Sequence, residues 1–371
     1  MEKSAYKIHI IGAGISGLIT AQILENHGYH PTIIEASATV GGRVKSDLVD
    51  GYTLDHGFQV LLTSYPAAKK YLDYKALDLQ KLLPGATIFK HGKAQTIGDP
   101  LRNISLLFPT LRSSIGKFSD KLKILKLNTL LKKKKIALIF KTEEKTTLQY
   151  LKDFGFSNEI ITDFFTPFFS GIFLETELET SSRMFEFVYK MFGDGLAVIP
   201  KNGMQAIPNQ LKNNLKKTTF KFNSLVKEVK DKHIILEDGH TLQSHITIIA
   251  TDASPLISNL KNQETQWKSC DTLYFQTEKS VINKPLIGLL ADEDALINNI
   301  FYHTSVATLN KKSKGLLSVT VIKNHQLEEN AFIKKVVAEL YSKCAIKDVT
   351  FLKRYQIKKA LPMLTNLQYE I

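Results

Sequence analysis

The chain has 371 residues, of which 43% are hydrophobic and 23% charged, enough apolar content for two domains rather than one. No apolar run approaches the roughly 18 residues of a membrane span, and no basic-then-apolar leader precedes the first strand pattern. The two cysteines, Cys270 and Cys344, lie outside any C-x-x-C or Cys/His cluster, which excludes a zinc or disulfide framework and fits a reducing, cytoplasmic compartment. The net charge of +13 raises nucleic acid as a partner, but arginine, the bidentate reader of phosphates and bases, occurs only at Arg43, Arg102, Arg112, Arg183 and Arg354. The expectation is therefore no nucleic acid; an anionic membrane surface, touched peripherally, suits so much lysine better.

In chain order, Tyr6 to Ile11 is an unbroken apolar run and predicts a buried strand. Gly12 to Gly17 is a glycine-rich turn, and Ile15 to Asn26 carries an apolar helical face that Gly28 is placed to stop. Thr32 to Glu35 predicts a second strand ending on an acid. From Tyr65 to about Gly193 the pattern turns aromatic and helical. Phenylalanines crowd between Phe154 and Phe173, as a domain core or as the lining of an apolar substrate cavity. Within this stretch Phe118 to Phe140 mixes lysines with leucines in no single clean stripe, which reads as a solvated helix face or as one lying on a membrane. Strand character returns over Phe222 to Val229, Lys232 to Leu236 and Thr241 to Ala250, with Asp238-Gly239 as a hairpin turn. Farther on, a strand is predicted over Leu316 to Ile322 and a helix over about Gln326 to Lys343. The shifts fit two domains interleaved in sequence, 1–62 with 195–262 and 63–194 with 263–371.

The first thirty-odd residues form a strand, a G-x-G-x-x-G turn, a helix and a strand ending in Glu35, the context that gives this motif meaning. Gly12 permits the tight turn, Gly14 lets backbone approach a pyrophosphate, and Gly17 lets the helix pack against the strand. Ala13, Ile15 and Ser16 complete a loop whose amides and helix dipole favour phosphate. A carboxylate at Glu35 accepts bonds from ribose hydroxyls and repels a 2′-phosphate. The loop by itself does not choose between FAD and NAD.

Ile34-Glu35-Ala36 followed by Val40-Gly41-Gly42-Arg43-Val44 resembles the FAD-dependent amine oxidase superfamily, which includes carotenoid desaturases and protoporphyrinogen oxidases. The resemblance implies an α/β fold: a Rossmann-like FAD-binding domain, parallel sheet plus β-meander, interleaved with an α+β substrate domain. It implies that Gly42 and Arg43 lie under the pyrophosphate, with the arginine offsetting its charge. It also implies that the segment Gly51 to Phe58 passes the flavin ring, where Gly57 and Phe58 give it access. The backbone of Val226 would meet the adenine, and Thr251 closes a second cofactor-contacting segment after the meander. Thr180 to Ile207 is similar to the family passage that leads back from the substrate domain.

Family members close with a third cofactor segment containing a Gly-Asp pair and a helix. Ala360-Leu361-Pro362 resembles the approach to it, but nine residues follow and hold no such pair, which predicts weaker FAD retention. The implied activity is hydride transfer from an apolar or amine-bearing small molecule to flavin, with oxygen or a quinone as final acceptor. No nucleophilic triad is needed for that chemistry, because the cofactor carries it. His56 is the one titratable candidate near the expected flavin edge, as a base or as a structural histidine. The competing readings are a defective or split family member acting as a binding subunit, and an NAD-dependent dehydrogenase.

Overall fold

A computed structural model describes residues 2–260, 265–308 and 314–363. The chain alternates between two compact units, the first made of Met1–Asp47, Ala67–Asp78 and Asn202–Gln266, the second of Leu48–Pro66, Leu79–Lys201 and Trp267–Ile371.

The first unit is built on a four-stranded, all-parallel sheet. Its strand order is Thr219–Lys221, Thr32–Ile34, Ile8–Ile11, Ile246–Ile249, with Ile10 opposite both Ile33 and Ile248. All four residues of Ile8–Ile11 are buried, as expected of a parallel strand covered on both faces. Helix Ile15–Asn26 covers one face and packs beside helix Ala206–Asn214, with Leu18, Ala21 and Leu211 meeting Ile10 and Ile33. On the other face Ile11 and Ile34 pack against a three-stranded antiparallel meander of Val226–Lys230, His233–Leu236 and Thr241–Gln243. The Asp238-Gly239 turn stands where the sequence puts it, with Gly239 at φ 87°.

Two strand boundaries differ from the sequence reading, each for a local reason. The stretch predicted as one strand from Phe222 to Val229 is broken. Asn223 takes φ 53°, a left-handed conformation that asparagine tolerates. The chain before it, Thr219–Lys221, joins the parallel sheet, and only the chain after it joins the meander. Likewise Thr241 to Ala250 is two strands: Ser244 turns its hydroxyl onto the carbonyls of Lys7 and Ile246, and the backbone leaves the meander for the parallel sheet.

The second unit carries a seven-stranded sheet in the order Val349–Pro362, Trp267–Thr277, Gly315–Val321, Ile297–Tyr302, Ile287–Leu290, Gly85–Lys90, Lys93–Gly98. The pairing of Ile287–Leu290 with Gly85–Lys90 is parallel and the others are antiparallel. Side chains alternate across it. Phe89, Leu273 and Ile300 face helix Glu329–Cys344 through Phe332, Val336 and Leu340, while Ala86, Ile88 and Leu289 face the helical layer. That layer holds Leu127 and Leu131 of helix Phe118–Lys133 and the phenylalanines Phe165, Phe169 and Phe185, all fully or almost fully buried. The crowded phenylalanines between Phe154 and Phe173 therefore build a core: Phe165, Phe169 and Phe185 pack ring against ring with centroids 4.7–6.4 Å apart.

The region read as helical from Tyr65 to Gly193 also contains the strands Leu79–Lys81, Gly85–Lys90 and Lys93–Gly98. His91-Gly92 forms the hairpin turn between the last two, with φ 50° and 70°, the pairing of positive values that suits the twist of a two-residue hairpin. Residues 364–371, which hold most of the short tail after Pro362, lie outside the described residues, as does the expected domain boundary at 262–263.

Candidate cofactor site

Within the first unit, the expected pyrophosphate-binding residues gather at the carboxyl ends of the parallel strands, where open α/β sheets place their ligands. Gly12 leaves the first strand at φ 101°, and its amide donates to Ile34 O at 2.8 Å. A Cβ on Gly12 would lie 3.1 Å from the Ala250 carbonyl oxygen and 3.4 Å from Thr251 Cβ, so Thr251 sits directly beside the turn. Gly17 is held by packing: a Cβ there would come within 2.0 Å of the Gly12 oxygen. Gly14 is the opposite case. It has an ordinary φ of −70°, and a Cβ added to it would meet nothing within 4 Å. The space above Gly14 is open, and no side chain caps the helix that begins at Ile15, with Ser16 exposed in its first turn.

Glu35 ties the loop to the second strand. One carboxylate oxygen accepts the Ala13 amide at 2.7 Å, and the other accepts the Ser37 amide at 2.9 Å and hydroxyl at 2.7 Å. Ala13 is fully buried and Ala36 is exposed beside the acid. The Glu35 carbonyl accepts the Ser224 amide at 2.9 Å, which brings the start of the meander, with Val226 two residues on, to the end of this strand. Val226 points its side chain into the core with Ile11 and Ile34.

The Gly-Gly-Arg segment closes over the loop. Gly41 donates to Ala13 O at 2.9 Å and bridges to Gly14, and a Cβ on Gly42 would stand 3.2 Å from Gly14 Cα. Gly42 itself takes φ 60°. Gly42 is thus demanded by the close approach of the two backbones and Gly41 by the Val44 carbonyl oxygen of its own turn, and Arg43 follows them exposed to solvent. Three of the other arginines serve the structure. Arg183 donates to Thr142 O, Arg354 pairs with Asp271 at 2.7 Å, and Arg102 donates to the carbonyls of Phe192 and Gly195.

Sequence reasoning missed Gln205. Its Nε2 donates to Val40 O at 2.9 Å and its amide donates to Ser46 Oγ at 3.0 Å, so it pins both ends of the Gly41–Arg43 segment. A Cβ on Gly41 would also lie 3.4 Å from that Nε2. The available signal was weak: a side-chain amide just before helix Ala206–Asn214, at the end of the Pro200 to Met204 motif.

The second unit contains His56, Gly57 and Phe58. Gly57 takes φ 97°, and a Cβ there would meet Ile357 Cδ1 at 2.9 Å. His56 is half-buried and its ring lies 4.4 Å from that of Tyr355. Phe58 packs on Phe301 at 4.9 Å and edge-on to His303 at 6.1 Å. His303 is enclosed, with Nε2 3.0 Å from Ser318 Oγ, and burial pushes its pKa down to about 4, so the ring is neutral at pH 7. Tyr274 donates to Asp55 O at 2.8 Å, and burial holds its phenol protonated. Among the described residues no group of histidines, cysteines and acids is arranged to hold a metal ion.

A family model described as flavin containing amine oxidoreductase matches residues 15–345. The chain is 27% identical over 168 residues to the mitochondrial protoporphyrinogen oxidase of Nicotiana tabacum, covering 45% of this chain and 32% of that protein. It is 44% identical over 66 residues to hydroxysqualene dehydroxylase of Zymomonas mobilis, covering 17% of this chain and 16% of that protein. The chain thus spans a third or less of the length of these curated relatives. Its fold is similar to that of an oxidoreductase from Methanosarcina mazei, with a TM-score of 0.74 at 18% identity over 94% of this chain and 87% of the other. With the family model covering most of its length, the chain belongs to the flavin-containing amine oxidoreductase family.

Proposed function

We propose that the chain binds FAD through the Gly12–Gly17 loop and oxidises an apolar or amine-bearing small molecule, with oxygen or a quinone as final acceptor. The observation that supports this reading most directly is the open space above Gly14, roofed on one side by Gly42 and anchored by the Ala13–Glu35 hydrogen bond. The site fits a dinucleotide. A loop with a bare glycine at the start of a helix offers amides and a dipole to a pyrophosphate, and the exposed Arg43 adds a positive charge nearby. Glu35 is placed to accept ribose hydroxyls, and the Val226 backbone and Thr251 would flank the adenosine half. In the second unit Gly57 and Phe58 are proposed to serve the flavin ring.

When bound, FAD supplies the two-electron acceptor, which explains why no catalytic triad is required. The protein's part is to hold the cofactor, exclude water and present the substrate C–H bond. His56 is assigned a positioning role, its ring held by a tilted contact with Tyr355. Family membership supports FAD over the nicotinamide-dependent alternative.

The test is an anaerobic screen of the FAD-loaded chain against apolar polyenes, hydroxylated isoprenoids, porphyrinogens and primary amines, following flavin absorbance. Bleaching by one compound class, reversed by air or a quinone, is expected. A loaded, folded chain that no member of the four classes bleaches would overturn the oxidase reading.

A further inference from the structure

Helix Phe118–Lys133 has two apolar faces. Leu127 and Leu131 point into the core of the second unit. Phe118, Leu122 and Leu125, at i, i+4 and i+7, form a second stripe on the opposite side, exposed by 70%, 52% and 39%. Helix Leu107–Arg112 adds Phe108 and Leu111, exposed by 69% and 58%. The two helices are tied together by Lys121, whose Nζ donates to Thr110 O at 2.8 Å and Ser113 O at 2.9 Å. Half of the strongly exposed large apolar side chains among the described residues fall between Leu101 and Leu138, so this is a concentrated patch and not the ordinary scatter of a surface.

The exposed charge carried by the patch's own segment has one sign. Between Leu101 and Phe140 the sequence holds ten lysines and arginines and a single acid, Asp120. That acid is fully buried, accepting from the Ser157 hydroxyl at 2.6 Å and the Lys117 amide at 2.9 Å. Lys126, Lys132 and Lys133 are exposed along the borders of the stripe. An apolar stripe flanked by lysines is the pattern of a helix lying in the headgroup region, apolar side down. Among the described residues no helix is long and apolar enough to cross a membrane, so the patch would rest on the bilayer without spanning it.

We infer that this face docks on an anionic lipid bilayer, with Phe108, Leu111, Phe118, Leu122 and Leu125 entering the interface and the lysines meeting lipid phosphates. A second copy of the chain is a poorer occupant, because pairing two such faces would set lysines against lysines. A purely electrostatic polyanion site would leave the apolar stripe unused.

The experiment is flotation of the full chain with vesicles of phosphatidylcholine alone or mixed with phosphatidylglycerol, at low and high salt. The chain is expected to float with the anionic vesicles at low salt. Lys126→Gln/Lys132→Gln/Lys133→Gln should weaken partition by about fivefold per lysine. Phe118→Ser/Leu122→Ser/Leu125→Ser should reduce it at least about tenfold, with an unchanged melting curve because all three side chains face solvent. No flotation with anionic vesicles at low salt would overturn the inference. So would flotation undiminished in the serine variant, which would mark a polyanion site. A concentration-dependent dimer in sedimentation that the serine variant abolishes would also overturn it, giving the patch to a second copy.

Discussion

Replacing Gly14 and Gly17 by alanine, one at a time, separates ligand binding from folding. Both are glycines of the same loop, but their surroundings are opposite. Gly14 has φ −70° and ψ 178°, which alanine adopts without strain, and its added methyl meets no protein atom within 4 Å. The folded chain should therefore tolerate Gly14→Ala, gaining up to about 0.5 kcal/mol from the stiffer unfolded state. Gly17→Ala forces a Cβ to within 2.0 Å of the Gly12 carbonyl oxygen, which drives the helix off the strand. That overpacking should destabilise by about 2–3 kcal/mol. If the space above Gly14 receives a pyrophosphate, the methyl that costs no stability will weaken FAD binding by at least about tenfold, or about 1.4 kcal/mol. The assay is a thermal melt of each variant paired with a fluorescence titration of FAD. Gly14→Ala with both melting and FAD affinity unchanged would refute the placement of the pyrophosphate. A Gly17→Ala that melts like wild type would refute the packing argument.

Glu35→Gln keeps an acceptor for Ala13 but turns a donor NH2 toward the Ser37 amide and loses the charge-assisted bonds, so FAD should bind about tenfold more weakly by calorimetry and melting should show a loss of about 1 kcal/mol. Gln205→Ala frees the Val40 end of the Gly41–Arg43 segment, while the backbone bond to Ser46 persists, and should raise the FAD dissociation rate in stopped flow without abolishing binding. The neutral burial of His303 makes stability acid-sensitive. Its pKa falls from 6.5 to about 4 on folding, so the unfolded chain binds the extra proton between those values. Stability is complete above pH 6.5 and falls by about 3 kcal/mol on acidification to pH 4. Urea unfolding of His303→Phe should show that much less loss over the same window. His56→Phe preserves an aromatic ring against Tyr355 and should keep the flavin spectrum and most of the turnover; loss of turnover alone would make His56 a proton-transfer group.

The geometry of the Gly12–Gly17 loop was legible because its information is local. The glycines, the apolar strand before them and Glu35 at the end of the next strand stand within thirty-odd residues, and each has a separate steric or polar task. Gly41 and Gly42 were legible for the same reason. Gln205 was not, because its bond to Val40 joins residues 165 positions apart and leaves no periodic trace. The hairpin from Gly85 to Gly98 was lost inside a long helical pattern, although His91-Gly92 marks its turn. The lysine–leucine helix looked patternless because both of its faces carry apolar side chains. Only packing assigns Leu127 and Leu131 to the core and leaves Phe118, Leu122 and Leu125 outside. Similarly, the phenylalanines from Phe154 to Phe173 are equally consistent with a cavity or a core until their neighbours are known, and the rings of Phe165, Phe169 and Phe185 occupy the core themselves.

The central claim is that the Gly12–Gly17 loop holds FAD, and gel filtration of the purified chain in a running buffer that contains FAD tests it most directly. Flavin absorption above the buffer baseline is expected to travel with the protein, saturating as the FAD concentration is raised. A folded, monodisperse chain that carries no flavin above the baseline at saturating FAD would contradict it.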